Sequence, residues 1–333
     1  MSQLRILKQI PLTMKLLTTF FCSLFFFQLI AQDVKKELYD NGKTKSEGTY
    51  TSAKFKTGIW KYYYSNGNLE AVGSYNGKEA GKTIDVIRKG RNSAIDDKSS
   101  VRDGKWTFYY TNGEKKGIAS YQDGCPKGLL TKWYKTGEKM EEAEFIDCKP
   151  MGNKRVWSKD GWLKYETIHE GNGRSMEVEL YAGGEKKSTI PYKNGQQYGR
   201  VKRWYESGQK EEDVMMKNTR VHGSYRSWYS NGNKQREFFS INNVMSGEYR
   251  EWDKDGKLLW EIIELTDENK ILVKNYWANG QLKMQGKANM PQSLSIHQWS
   301  QTRQGYWTYW YKDGTVTKSE KYSSGQLLTT EMP

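Results

Sequence analysis

Three histidines, a few adjacent carboxylates and two cysteines are the side chains of the mature region that could do acid–base, metal or thiol chemistry. His169, His222 and His297 fall in three separate parts of the chain. No position gathers two of them, so a multi-histidine metal centre is not expected and each reads as a surface loop residue. Glu141-Glu142 and Glu211-Glu212 could form acid/base pairs, but they recur at equivalent places and read as solvated surface. Gly171-Asn172-Gly173 has no helix after it and reads as a turn rather than a phosphate cradle. No nucleophile stands beside a base in a recognisable motif. These residues imply a protein that is not an enzyme and has no cofactor and no metal.

The rings are more promising. With 13 Trp, 23 Tyr and 10 Phe, the chain carries its chemistry mainly as aromatic surface. The element that positions these rings is set by glycine. Gly42, Gly67, Gly90, Gly113, Gly137, Gly161, Gly184, Gly208, Gly232, Gly256, Gly280 and Gly314 recur at gaps of 23 to 25 residues, with a last gap of 34. Such a period marks a repeat array of one small supersecondary unit. Nine of these twelve glycines follow Asn, Asp or Gly, the pairs that favour a two-residue type I′ hairpin turn. The expected fold is all-β: one elongated antiparallel sheet of about twelve stacked hairpins.

Pairing outward from each turn places Gly58 opposite Tyr75, Gly104 opposite Tyr121, Gly128 opposite Phe145 and Gly305 opposite Tyr322. These glycines read as bare backbone beneath a ring on the partner strand. Four residues before the turn glycine lies a Trp-rich row, which reads as the main packing row. Three before it lies a Tyr-rich row. Its members Tyr64, Tyr110, Tyr134, Tyr205, Tyr229 and Tyr311 are the candidate binding residues, since half-exposed phenols suit sugar rings, extended peptide or lipid headgroups. Trp60, Trp106 and Trp307 stand seven before the turn, where alternation puts them on the face of the Tyr row.

Two stretches break the pattern. Residues 82–103, around Lys89-Gly90, read as an eroded hairpin, and 287–304 read as a protruding loop insertion. The repeat array spans 33–330. Residues 1–31 contain Arg5, Lys8 and Lys15, no acid, and the apolar run Leu16–Ile30, which is short for a spanning helix of ~20 residues. They read as a signal peptide, with Met14 as an alternative start, so export to the periplasm, outer membrane or beyond is expected. The formal charge is +14, and removing that segment leaves 50 minus 39, or +11. Acids interrupt every basic cluster, so nucleic acid is not an expected partner. Cys125 and Cys148 lie in register on neighbouring units and are either a disulfide or two buried thiols.

Gly104, Trp106, Tyr109, Tyr110, Asn112, Gly113, Tyr121, Gly124 and Gly128 together resemble the MORN repeat in its bacterial variant. Residues 58–81 and the unit from Gly305 to Gly325 carry the same pattern. The resemblance implies a gently curved scaffold or binding surface, associated in some members with lipid or membrane contact and in others with protein assembly. Many bacterial relatives are labelled antitoxin-like. The expectation is an exported scaffold that binds a protein, with a glycan or anionic membrane surface as further partners. The alternative is an immunity-type protein that neutralises a toxin through a few dominant residues near 287–304.

Overall fold

The computed structural model describes residues 33–79, 86–87, 95, 100–146, 148–265, 268–290 and 296–333. The chain divides into two units, Met1–Asp33 and Val34–Pro333, and everything below concerns the second. The expected signal peptide lies outside the described residues. The described residues form one open antiparallel sheet of 24 strands and no α-helix. Strands pair in chain order, from β1 (Lys35–Leu38) against β2 (Thr44–Tyr50) to β23 (Val316–Ser323) against β24 (Gln326–Glu331). The one departure is the two-residue β13 (Gln196–Gln197), beside which β12 (Lys186–Lys193) also pairs with β14 (Gly199–Trp204). This is the hairpin succession that the glycine spacing implies.

The turns differ from expectation in an instructive way. At Asn66-Gly67 the Gly67 amide donates to the Tyr64 carbonyl (2.8 Å) and the Tyr64 amide to the Asn68 carbonyl (2.8 Å). The same pair of bonds closes eleven glycine-bearing hairpins among the described residues and also the crossing at Thr51–Phe55, where Lys54 stands in the glycine's place at φ 65°. Gly67 has φ +95°, whereas Asn66 is not left-handed. These are three-residue loops, a type I turn ending in a glycine bulge. Asparagine is chosen here for its side chain. Asn66 Oδ1 accepts from the Asn68 amide (3.0 Å), and Nδ2 donates to the Thr111 carbonyl of the next hairpin (3.2 Å).

The two-residue type I′ turns exist, but on the opposite edge, where one hairpin passes to the next. Asp123-Gly124, Asn172-Gly173, Asn194-Gly195, Asn218-Thr219, Asn242-Asn243 and Ser324-Gly325 are left-handed at both positions. Cys148 takes the place of Gly124 in its own turn, at φ 65°, and is disulfide-bonded to Cys125 with the Cα atoms 4.8 Å apart.

The predicted pairs Gly58–Tyr75, Gly104–Tyr121, Gly128–Phe145 and Gly305–Tyr322 are all observed. The role assigned to those glycines is corrected. Each has a left-handed φ, and a Cβ on Gly128 or Gly305 would meet nothing within 4 Å. They make the bend where the strand bulges. The bare backbone beneath rings comes from other glycines: a Cβ on Gly48, Gly73 or Gly286 would lie inside the indoles of Trp60, Trp106 and Trp307. Those three tryptophans, rather than the row nearest the turn, are the deeply buried ones.

A one-layer sheet cannot bury its own face, and this chain covers two parts of it with its irregular segments. β4 (Leu69–Glu79) pairs directly with β5 (Ser100–Tyr109), with no described strand between. The expected unit 82–103 falls mostly outside the described residues. Of its described members, Ile87 and Ile95 are buried against Trp60, Trp106, Tyr75 and Tyr121. The insertion 287–304 does not protrude in its described part. After β21 (Leu282–Asn289), a 3₁₀ turn (Ile296–Thr302) lays Trp299 flat on Trp307 at 5.1 Å, buried with Ile262, Ile271 and Val273.

Candidate interaction surface

The tyrosines singled out as binding residues are positioned by the hairpin loops, and the hydroxyls of five of the six have partners. Tyr64 donates to the Tyr109 carbonyl, Tyr110 to Trp133, Tyr134 to Trp157 and Tyr205 to Trp228, each at 2.8 Å. Tyr229 donates to the Trp252 carbonyl at 3.0 Å. Each phenol therefore ties its own hairpin to the next. Burial, with nearby Glu70, pushes the Tyr64 hydroxyl up to about 12. Burial also raises Tyr110 and Tyr205, so these groups remain donors throughout the physiological range. Tyr311 is exposed, with its backbone closing the last loop.

The neighbouring Trp row is half-buried and edged by lysines. Lys139, Lys210 and Lys234 place their ammonium groups 5.0–5.3 Å from the rings of Trp157, Trp228 and Trp252. Such pairs combine cation–π attraction with cover from the lysine stem.

A single cross-strand row on the opposite face shows where the surface changes. Following the register, it runs Tyr62, Ala71, Phe108, Gly117, Lys132, Glu141, Val156, Tyr165, Glu179, Ser188, Arg203, Glu212, Ser227, Arg236, Glu251, Trp260, Asn275, Met284 and Tyr309. Under the N-terminal cover the row is apolar. Between the two covers it is charged or small and polar apart from the half-buried Val156 and Tyr165, with ion pairs Lys132–Glu141 (3.2 Å), Arg203–Glu212 and Arg236–Glu251 (3.7 Å). No described apolar residue from 144 to 200 is buried.

The Trp-row face carries a second charged row. Arg226 pairs with Glu237 (2.7 Å), Arg250 with Glu261 (3.2 Å) and Lys274 with Glu261 (3.2 Å), each across adjacent strands. Hydrogen bonds from Lys234 and Arg226, against opposing burial, hold the Glu237 carboxyl below its ordinary value. Burial pushes Glu261 up, but Lys274 and Arg250 outweigh it and the net shift is downward.

The adjacent carboxylates behave as surface groups. Glu141 pairs with Lys132 and Glu142 with Lys139 (2.7 Å), on opposite sides of their strand. The histidines were expected in loops; His169 lies instead in β10 (Leu163–Gly171), His222 in β16 (Arg220–Trp228) and His297 in the 3₁₀ turn. No group of three or more His, Cys, Asp or Glu among the described residues could hold a metal ion. No described helix is long and apolar enough to cross a membrane. Sequence reasoning missed the alternating charged rows; their signal was present in runs such as Lys202-Arg203 facing Glu212-Asp213.

The MORN repeat variant family matches three stretches, residues 56–76, 102–123 and 197–218. The first two are the units around Gly67 and Gly113, and the third is the unit around Gly208. The comparison with curated proteins gives no match. Among solved structures the chain is similar to the Photorhabdus luminescens Tc holotoxin pore, at 11% identity and a TM-score of 0.19, covering 90% of this chain and 18% of that one. A TcdB2-TccC3-TEV structure gives 10% identity and 0.19, covering 89% and 17%. The chain thus spans less than a fifth of the length of these proteins, and likeness at this level carries no argument.

Proposed function

We propose that this protein is an exported, non-enzymatic repeat scaffold that binds a macromolecular partner through the part of its sheet that no described segment covers. One observation carries the reading. The same face is apolar where chain segments cover it and charged and half-exposed where they do not. A face of that kind is built to stay in water until a polar partner arrives, so binding rests on many modest charge and hydrogen-bond contacts. The matched repeat family supports a scaffold or binding role. The basic start and short apolar run of residues 1–31 support export. The tyrosine row contributes as ring surface, since its hydroxyls are engaged between hairpins.

The test is site-specific photo-crosslinking with the full chain in its native host. A photoreactive residue at Glu179 or Arg236 should capture a partner, whereas one at Tyr62, beneath the N-terminal cover, should not. Capture from Tyr62 alone would overturn the proposal. Alanine scanning along the uncovered row then separates the scaffold from an immunity-type inhibitor. Small losses at many positions support the scaffold; abolition at one position supports the inhibitor.

A further inference from the structure

Several cations of the uncovered block face a carboxylate across the strands, as Arg203 faces Glu212 and Arg226 faces Glu237, but at one edge two cation pairs face each other. Arg174 opens β11 (Arg174–Leu180) and stands directly opposite Lys193 at the end of β12. Lys217 closes β15 (Lys210–Lys217) and stands directly opposite Arg220 at the start of β16. All four side chains are exposed, and none makes an ion pair among the described residues. Register and strand alternation put them on one face, that of Thr189, Lys202 and Asp213. Like charges directly opposite one another destabilise a sheet.

The turn between the second pair adds strain. Asn218 and Thr219 are both left-handed, at φ 51° and 62°, and a β-branched residue is a poor choice there. Four other crossings on this edge use glycine at the second position (Gly124, Gly173, Gly195 and Gly325), and two more place Cys148 and Asn243 there, neither of them β-branched. Repulsion and strain held together at one edge are what a binding site retains at the expense of stability.

The chemistry of the ligand follows from what the edge offers. Its backbone is occupied: the Asn194 amide donates to the Gly173 carbonyl (2.7 Å) and Thr219 to Gln197 (3.0 Å). These bonds tie neighbouring turns together, and the exposed side chains are what the edge offers a ligand. Two guanidinium forks suit carboxylates, each with an ammonium beside it. Tyr198 is exposed, with Lys193 5.3 Å from its ring, and offers a flat surface to a sugar. From β11 to β16 there are four strand-to-strand steps, or roughly 19 Å at ~4.8 Å each, which suits a linear chain with repeated negative groups.

We propose that the edge formed by Arg174, Lys193, Lys217 and Arg220, with Tyr198, binds an acidic polysaccharide whose sugar rings carry carboxylates. This goes beyond the scaffold reading, because these cations lie on the Trp-row face, opposite to Glu179 and Arg236. The test is titration of the full chain with polygalacturonate oligosaccharides, with polyglutamate, phosphatidylglycerol vesicles and neutral dextran in parallel. Polygalacturonate should bind preferentially and weaken steeply with salt. Replacing all four cations (R174Q, K193Q, K217Q and R220Q) should lower its affinity by about tenfold or more, because the local charge is lost. Removing the same charge at the loop edge (K115Q, K135Q, K254Q and K312Q) should change it less than about twofold if the effect is local. Equal loss in both variants, no binding of polygalacturonate, or preference for polyglutamate or vesicles would overturn the proposal. Photo-crosslinking at Glu179 and Arg236 that survives the fourfold change would show that the scaffold reading stands without it.

Discussion

Tyr62 and Glu179 occupy one cross-strand row on one face of one sheet, yet Tyr62 is fully buried and Glu179 holds Lys187 at 2.9 Å in the open. The hairpins beneath them are alike. The difference is the cover: Ile87 and Ile95 lie on the first region, Trp299 lies on the last, and no described segment lies on the region between. Burial and ion pairing are thus alternative ways to hold identical units side by side. The covered ends also contain cations against rings, the buried Arg102 over Trp106 (4.6 Å) and the half-buried Arg303 over Trp307 (4.9 Å), at equivalent positions two before a bulge glycine. Pro126 and Val221 hold that position elsewhere. A guanidinium is retained where rings can sandwich it.

The largest expected effect breaks the covered side of this comparison. Gly73→Val forces a side chain into the space of the Trp106 indole and should destabilise the N-terminal block by about 3 kcal/mol or more. Hydrogen exchange should show that loss in β3 to β6 (Lys56–Tyr63 through Lys115–Gln122) and leave the middle protected. Trp299→Ala should cost about 3 kcal/mol at the other end by uncovering Trp307 and Ile271. It should also let an apolar dye bind there, which the wild-type protein should not allow.

Tyr134→Phe tests what the two regions share. Deleting the hydroxyl donated to the Trp157 carbonyl should cost about 1 kcal/mol, seen as a lower urea midpoint with an unchanged slope. No change would mean that water replaces the bond and that the tyrosine row is free for another role.

The smallest effect belongs to the uncovered middle. Glu237 titrates below its unfolded value, so its contribution is present above the ordinary carboxylate pKa of about 4.3. It is lost as the pH falls through the depressed folded value. Thermal scans from neutral to acid pH should show the middle losing exchange protection before the aromatic ends. Molar salt should shift the same region in the same direction.

The hairpins were legible because turn chemistry is local. Eleven of the turn glycines, and strand pairs such as Gly104 opposite Tyr121, could be placed by counting along the chain. The turn type was not, because asparagine serves equally well by adopting a left-handed backbone or by accepting from the amide two residues on. Asn66 does the second and Asn172 the first. The covers were not legible because residues 82–103 and 287–304 have no period, and only contacts with distant rings give Ile87 and Trp299 their role. The tyrosine row could be counted but not interpreted, since its acceptors belong to the following unit.

What the sequence determined by itself is therefore the unit and its order, because both follow from bonds and dihedrals within a few residues. What the tertiary structure alone decided is which stretch of the sheet is shielded and which meets solvent. That choice depends on where two irregular segments come to rest, and the free energy that places them comes from apolar surface contributed by strands far away in the chain.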